Sequence, residues 1–331
     1  MKQPIFWYEP PGALARTLAP ISCIWKFGSK SRMRRGAMKR VGVPVVCIGN
    51  LTVGGTGKTP LAIALAERLA KSAREIHFVS RGYGGALAGP VQVDPGAHSA
   101  REVGDEPLLL AEFAPTWIAR DRFAGATLAM RAGAEAILLD DGHQNFSIAR
   151  DFSIIVVDAA QGFGNGKVFP AGPLREEIRA GLERADVVVA VGNPRDRNSF
   201  RRKWEGLIPT PILDAELLPL ETGMDWKGVP ALAFAGIGNP EKFFRTLRGT
   251  GADVVATEAL DDHQPLPDAL LQRLNSKAAA LGAQLVTTEK DAVRLASAWR
   301  RRVLTLPVRM KLTDWSAIDR GLIGIGLLHT A

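Results

Sequence analysis

Residues 45–60 read Val-Val-Cys-Ile-Gly-Asn-Leu-Thr-Val-Gly-Gly-Thr-Gly-Lys-Thr-Pro. An apolar strand runs into a glycine-rich turn, and Gly57-Lys58-Thr59 opens a helix. That order ties the segment to a sheet covered by helices, because the turn must join a buried strand to a helix N-terminus. It also suits a phosphate. Glycines let backbone N–H groups crowd an anion without a Cβ in the way, and the helix aims its positive dipole end at the same point. Thr52, Val53, Gly54, Gly55, Thr56 and Gly57 would form the cradle, Lys58 would reach the outer phosphates, and the Thr59 hydroxyl would ligate Mg²⁺. The usual pattern has glycine where this chain has Thr52. The bland alternative is a turn that binds nothing.

The rest of the chain repeats the strand–helix alternation. Apolar runs at 43–48, 76–80, 136–140, 153–158 and 187–191 alternate with helical patterns at 59–71, 106–113, 122–132 and 176–184. Fully apolar strands separated by helices predict an α/β protein with a doubly wound parallel sheet. Residues 209–226, with Pro209, Pro211, Pro219 and Gly223, read as a linker. The alternation restarts after it. The expected division is an N-terminal arm at 1–28, a phosphate-loop domain at 29–215 and a smaller α/β domain at 225–331.

Charge is uneven along the chain. Residues 1–60 hold ten Lys/Arg and one acid, leaving 32 basic and 33 acidic residues in the remainder. The body is therefore neutral, which argues against a nucleic-acid-binding protein. Two cysteines, Cys23 and Cys47, lack any C-x-x-C spacing, so neither a disulfide framework nor a thiolate metal site is expected. The arm combines Trp7, Tyr8 and Trp25 with a basic run from Lys26 to Arg40. Pro10, Pro11, Arg16 and Pro20 interrupt its apolar stretch, so it is too broken to span a bilayer. It reads as a helix lying on a membrane, with the aromatic rings at headgroup level and the basic run facing anionic lipid. A helix packed on the protein's own body, or a basic arm for nucleic acid, are the alternatives.

Asp140-Asp141-Gly142-His143-Gln144 ends an apolar strand with two carboxylates, where a phosphate-loop protein needs an acidic partner for its metal. Turn capping is the other common job for such an Asp. Gly104-Asp105-Glu106-Pro107 opens a helix, where acids ordinarily stabilise the dipole. Arg120, Arg122 and Arg175 are candidates for offsetting phosphate charge. Thr288-Glu289-Lys290-Asp291 is not the Asn-Lys-x-Asp string that reads guanine, and Val53 stands where a partitioning-type ATPase would carry an extra lysine. A small-molecule kinase is the class that remains.

Taken together, several segments resemble the tetraacyldisaccharide 4'-kinase family of lipid A biosynthesis. They are 44–60, Ser80-Arg81-Gly82-Tyr83-Gly84-Gly85, Gly104-Asp105-Glu106-Pro107, Asp140-Asp141-Gly142-His143-Gln144 and 163–176. Ala235-Gly236-Ile237-Gly238-Asn239-Pro240, Asp262-His263-Gln264 and Thr288-Glu289-Lys290-Asp291-Ala292-Val293 complete the set. They run in order along nearly the whole chain. Thr52 matches that family's own variant of the loop, and His143 departs from the leucine expected there.

The resemblance implies ATP- and Mg²⁺-dependent phosphorylation of the 4'-hydroxyl of a tetraacylated glucosamine disaccharide 1-phosphate, giving lipid IVA. It implies a site between the two domains and peripheral or monotopic attachment to the cytoplasmic face of the bacterial inner membrane. No nucleic-acid partner and no obligate protein partner are implied. By position, Asp105 resembles the general base and His263 its partner. Thr59, Asp140, Asp141, Gln144 and Glu106 resemble the metal and γ-phosphate side, and Arg175 and Arg122 the charge stabilisers. A soluble kinase for a polar sugar or nucleotide, and an ATPase switch without an acceptor, are the rival functions.

Overall fold

The computed structural model describes residues 3–35, 38–72 and 74–329, with the side chains of 29–35 excepted. Its strands in chain order are β1 (Val45–Gly49), β2 (Ile76–Ser80), β3 (Val91–Gln92), β4 (Thr116–Ile118), β5 (Ala136–Asp140), β6 (Phe152–Asp158) and β7 (Val187–Val191). There follow β8 (Ile212–Pro219), β9 (Pro230–Ala235), β10 (Asp253–Ala259), β11 (Gln284–Thr288), β12 (Val303–Leu306) and β13 (Val308–Leu312). Nine form one sheet in the order β13-β8-β7-β6-β1-β5-β2-β4-β3, and four form a second, β10-β9-β11-β12.

The architecture is α/β, but the large sheet is mixed. Its interior pairs are parallel, whereas β3 runs antiparallel to β4 and β13 antiparallel to β8. The wholly parallel sheet expected from the sequence is corrected at both edges. Interior strands are buried on both faces, which is why they read as unbroken apolar runs. On one face the helix Lys58–Ala70 buries Leu61, Leu65 and Leu69, beside the helix Ser316–Gly324 with Ile318 and Leu322. On the other face the helices Arg122–Arg131 and Pro194–Trp204 cover separate apolar clusters.

The presumed linker 209–226 contains a strand. β8 pairs parallel to β7 on one side and antiparallel to β13 on the other. β13 joins the large sheet, and the helix Ser316–Gly324 packs into that sheet's apolar cluster. The second sheet is parallel throughout, with the helices Pro240–Gly249 and Asp268–Ala280 packed in its two clusters. Arg309 of β13 binds Glu289 at 2.9 Å and Glu67 at 3.6 Å, tying the second unit to the large sheet.

The arm folds as a short 3-10 turn, Ile5–Trp7, then helices Ala13–Thr17 and Ala19–Arg35. Pro20 sits in the first turn of the longer helix, where its missing N–H costs nothing. Among the described residues no helix is long and apolar enough to cross a membrane. One side of the arm is held by the protein. Trp7 is only 4% exposed, donates to Pro170 O at 3.0 Å and meets Phe169 edge-on. Ser22 donates to Val168 O at 2.8 Å, and Trp25 donates to Arg175 O at 3.1 Å. The expectation that Trp7 lies at headgroup level is therefore corrected. The opposite side is bare: Ile5 (76%), Ile24 (74%) and Phe27 (77%) are exposed, with Leu14 and Ile21. Lys30, Arg32, Arg34 and Arg35, the middle of the basic run, fall outside the described side chains.

Candidate active site

β1 lies between β5 and β6, so its C-terminal end opens directly beside Asp140. Functional sites in such sheets collect at the carboxyl ends of the strands. The loop 51–57 leaves β1 and is pinned by a two-stranded contact. Val53 N–H donates to Pro173 O at 2.8 Å, and Arg175 N–H donates to Leu51 O at 2.8 Å. This fixes Arg175 against the loop although the two are far apart in sequence. Gly54 (φ 109°) and Gly57 (φ 97°) take the left-handed backbone that the turn requires, and Gly57 leads into the helix at Lys58.

The cationic side chains converge on Asp141. Lys58 Nζ is 3.6 Å from its Oδ1, and Arg175 Nη1 is 2.9 Å from Oδ1 and 3.0 Å from Oδ2. Desolvation would raise the Asp141 carboxyl, but Lys58 and Arg175 outweigh it and hold the group well below the usual carboxylate range. Asp141 adopts φ 49°, a left-handed conformation uncommon for a non-glycine residue. Asp140 behaves oppositely. Burial, with Glu106 and Asp141 nearby, drives its carboxyl up, and Ser80 Oγ at 3.2 Å is its hydrogen-bond donor. Arg122 is buried, donates to Ala119 O at 3.1 Å and feels the charges of Asp141 and Asp140. Gln144 donates to Asn50 O at 2.9 Å and Glu176 Oε1 at 3.0 Å, so it braces the loop.

Asp140 Oδ1, Asn50 Oδ1 and Thr56 Oγ1 are buried without a hydrogen-bond partner among the described residues. Buried acceptors left this way call for an ion, water or ligand. No three His, Cys, Asp or Glu side chains among the described residues converge as a cation cage. The buried Asp140 Oδ1 next to the Asp141 carboxylate suits Mg²⁺, which keeps several waters and takes only one or two carboxylates plus phosphate oxygens.

The second part of the site spans the two sheets. Asp105, 4% exposed at the start of the helix Asp105–Ala111, accepts a 2.9 Å contact from His263 Nδ1. His263 lies in the loop after β10, at φ 58°, and its ring stands edge-on to Tyr83. Burial would raise the Asp105 carboxyl, yet His263, Lys290 and Arg294 together hold it below its ordinary value. Glu106 pairs with Lys290 at 3.0 Å. The loop after β9 reaches the phosphate loop itself: a Cβ on Gly238 would lie 3.9 Å from Gly55 N. Lys242, on the following helix, pairs with Asp158 at the end of β6 at 3.5 Å.

The structure thus gathers the sequence candidates into two adjoining groups. Residues 52–59, Asp140, Asp141, Arg122, Gln144 and Arg175 form one, and Asp105, Glu106 and His263 the other. Arg120 is exposed. His143 is a core residue, fully buried between Ser153 Oγ at 3.2 Å and Gly181 O at 2.9 Å. Sequence reasoning missed Lys290, Arg294, Asn50 and Glu176. Lys290 follows β11, at the end of a parallel strand, and that position was the available signal.

Fold and site define a two-sheet α/β protein with a glycine-rich, lysine-bearing loop on the large sheet and a carboxylate–imidazole contact that joins the two sheets. A family model described as tetraacyldisaccharide-1-P 4'-kinase (LpxK) matches residues 14–324. The chain belongs to this family. It is 53% identical over 319 residues to the tetraacyldisaccharide 4'-kinase of Jannaschia sp., covering 96% of this chain and 97% of that one. It is 54% identical over 326 residues to the enzyme of the same name from Dinoroseobacter shibae, covering 97% of each. Among solved structures, LpxK from Aquifex aeolicus, crystallised in complex with ATP, superimposes with a TM-score of 0.74 at 25% identity. That match covers 94% of this chain and 99% of the Aquifex chain.

Proposed function

We propose that the chain transfers the γ-phosphoryl group of ATP to the 4'-hydroxyl of tetraacyldisaccharide 1-phosphate, forming lipid IVA in lipid A biosynthesis. Family membership and near-full-length identity to named 4'-kinases support the reaction, and the ATP complex of the Aquifex relative supports the donor. The observation that carries the reading is the 2.9 Å Asp105–His263 contact that joins the two sheets, in a chain whose phosphate loop is also approached by the second sheet at Gly238.

In this reading residues 52–58 cradle the phosphates of ATP, with backbone N–H groups and Lys58 offsetting their charge. Arg175 and Arg122 stabilise charge on the transferring group, and Gln144 braces the loop that holds it. Asp105 accepts the proton of the attacking hydroxyl. His263 orients that carboxylate rather than replacing it, since positioning dominates phosphoryl transfer. Mg²⁺ held on the side of Thr59, Asp140 and Asp141 would neutralise charge on the β- and γ-phosphates. Glu106, tied to Lys290, acts on that side through its charge.

The exposed apolar side of the arm, with Ile5, Leu14, Ile21, Ile24 and Phe27, suits an acyl-chain surface. A four-chain lipid is met at a bilayer, so the enzyme acts as a peripheral protein of the cytoplasmic face of the inner membrane. The test is incubation with Mg²⁺ and γ-labelled ATP, with and without tetraacyldisaccharide 1-phosphate in micelles. Label on the lipid is expected; ATP hydrolysis with unlabelled lipid would sink the proposal.

A further inference from the structure

The segment Thr288-Glu289-Lys290-Asp291 has both neighbours of its lysine tied down. Glu289 accepts from Arg309 Nη1 at 2.9 Å and from the Val308 N–H at 3.1 Å. Asp291 is fully buried, accepts from the Gly236 N–H at 3.0 Å and from the Thr288 hydroxyl at 2.6 Å, and pairs with Arg294. Between these anchors Lys290 reaches toward the helix Asp105–Ala111. Its Nζ is 3.0 Å from Glu106 Oε1 and 3.5 Å from His263 Nε2. An ammonium has three protons to give and accepts none, so one lysine can serve both partners.

The contacts of His263 divide by chemistry. Nδ1 faces the Asp105 carboxylate at 2.9 Å, and a carboxylate only accepts, so Nδ1 carries a proton. Nε2 faces the Lys290 ammonium, which only donates, so Nε2 offers a lone pair. Asp262 Oδ1 lies 3.7 Å from Nε2, pulls the other way and has no hydrogen-bond partner among the described residues. Tyr83 touches the ring only by its edge. Remove the lysine and Asp262 competes unopposed for a proton on Nε2. A ring proton drawn to Nε2 would leave Nδ1 bare against the Asp105 carboxylate.

We infer that Lys290 is a positioning residue that holds His263 in its Nδ1–H tautomer, so that the imidazole orients the Asp105 carboxylate toward the substrate hydroxyl. The inference rests on the assignment of Asp105 as the base in the proposed function. It gives a role to a lysine that the sequence reading placed in a family-resembling segment without assigning it a function.

The test uses the full chain labelled with ¹⁵N only in its five histidines. Long-range ¹H–¹⁵N spectra near neutral pH report which ring nitrogen carries the proton, and His263→Gln assigns the signal. In the wild type His263 should show a protonated Nδ1 and a bare Nε2. Lys290→Met should abolish that pattern, leave the other four histidine signals in place and lower kcat about tenfold or more with little change in the KM for ATP. Lys290→Arg, which keeps a donor cation, should restore the tautomer and most of the rate; Lys290→Gln serves if the methionine variant does not fold. A protonated Nε2 in the wild type, or an unchanged His263 pattern in Lys290→Met, would overturn the inference. If the wild type transfers no phosphate to the lipid, the proposed function fails instead, while the spectra still decide the tautomer.

Discussion

Replacing Asp105 and His263 singly and together separates a base from its support. Asp105 is buried, and its Oδ1 also accepts the Glu106 N–H at 3.0 Å, with Arg294 Nε 4.0 Å from Oδ2. The carboxylate therefore stays roughly in place when the imidazole is removed. Loss of a general base costs about 10²–10⁴ in rate, or roughly 3–5 kcal/mol at 1.36 kcal/mol per decade. Asp105→Ala should fall in that range in kcat, with the KM for ATP nearly unchanged. His263→Ala removes one charge-assisted hydrogen bond, worth about 1.5–3 kcal/mol, so a loss of roughly 10- to 100-fold is expected. Because His263 acts through Asp105, the double variant should be no more than about threefold worse than Asp105→Ala alone. Initial rates of lipid phosphorylation in mixed micelles measure all four proteins. Losses that multiply in the double variant would show two independent roles and refute the pairing.

Three further outcomes follow from the packing. A Cβ at residue 49 would overlap His143 Cβ, so Gly49→Ala should cost about 1–3 kcal/mol. Urea unfolding should show that as a lower midpoint at unchanged slope; an unchanged midpoint would contradict the packing. Burial, with Arg184 and Arg150 close by, lowers His143 to about 3, below its ordinary 6.5. A base depressed in the folded state contributes stability above the higher value and loses it as pH falls toward the lower. Between these limits the wild type should lose up to about 4 kcal/mol that His143→Leu does not, seen as a flatter stability profile in the variant. Ile21, Ile24 and Phe27 stand outside the core, so changing all three to Ser should leave the thermal midpoint alone. Each buried apolar side chain contributes roughly 1.5–3 kcal/mol, so sedimentation with anionic vesicles should show partition weakened by about 100-fold or more. Undiminished partition would remove the arm from the membrane account.

Sequence patterns are local, and the parts of the molecule they reported are local too. The phosphate loop and the Asp140-Asp141 strand end each lie within a few residues of a buried apolar strand, so the period alone locates them. β8 was hidden because Pro209 and Pro211 precede it, Pro219 ends it and its side chains alternate in burial. β13 follows Pro307 directly and carries Arg309 and Lys311 along an edge, so nothing in its composition tells which sheet it joins. The Asp105–His263 contact links residues 158 positions apart, and resemblance rather than any periodicity suggested it. Lys290 shows the same limit, because its meaning comes from residues on the other sheet. Trp7 was misjudged because an interfacial tryptophan and a buried one look identical until the cis-proline loop 169–173 is seen to cover it.

The site where the two sheets meet is proposed to join the γ-phosphoryl of ATP to one hydroxyl of the lipid. The most direct measurement is ³¹P NMR of the product made from γ-labelled ATP, with proton correlations to locate the new phosphate on the sugar. One new phosphomonoester, carrying the label, is expected at the 4' carbon of the distal glucosamine, formed at least about 10²-fold more slowly with Asp105→Ala. A labelled phosphate at another position, or label appearing only as free phosphate, would contradict it.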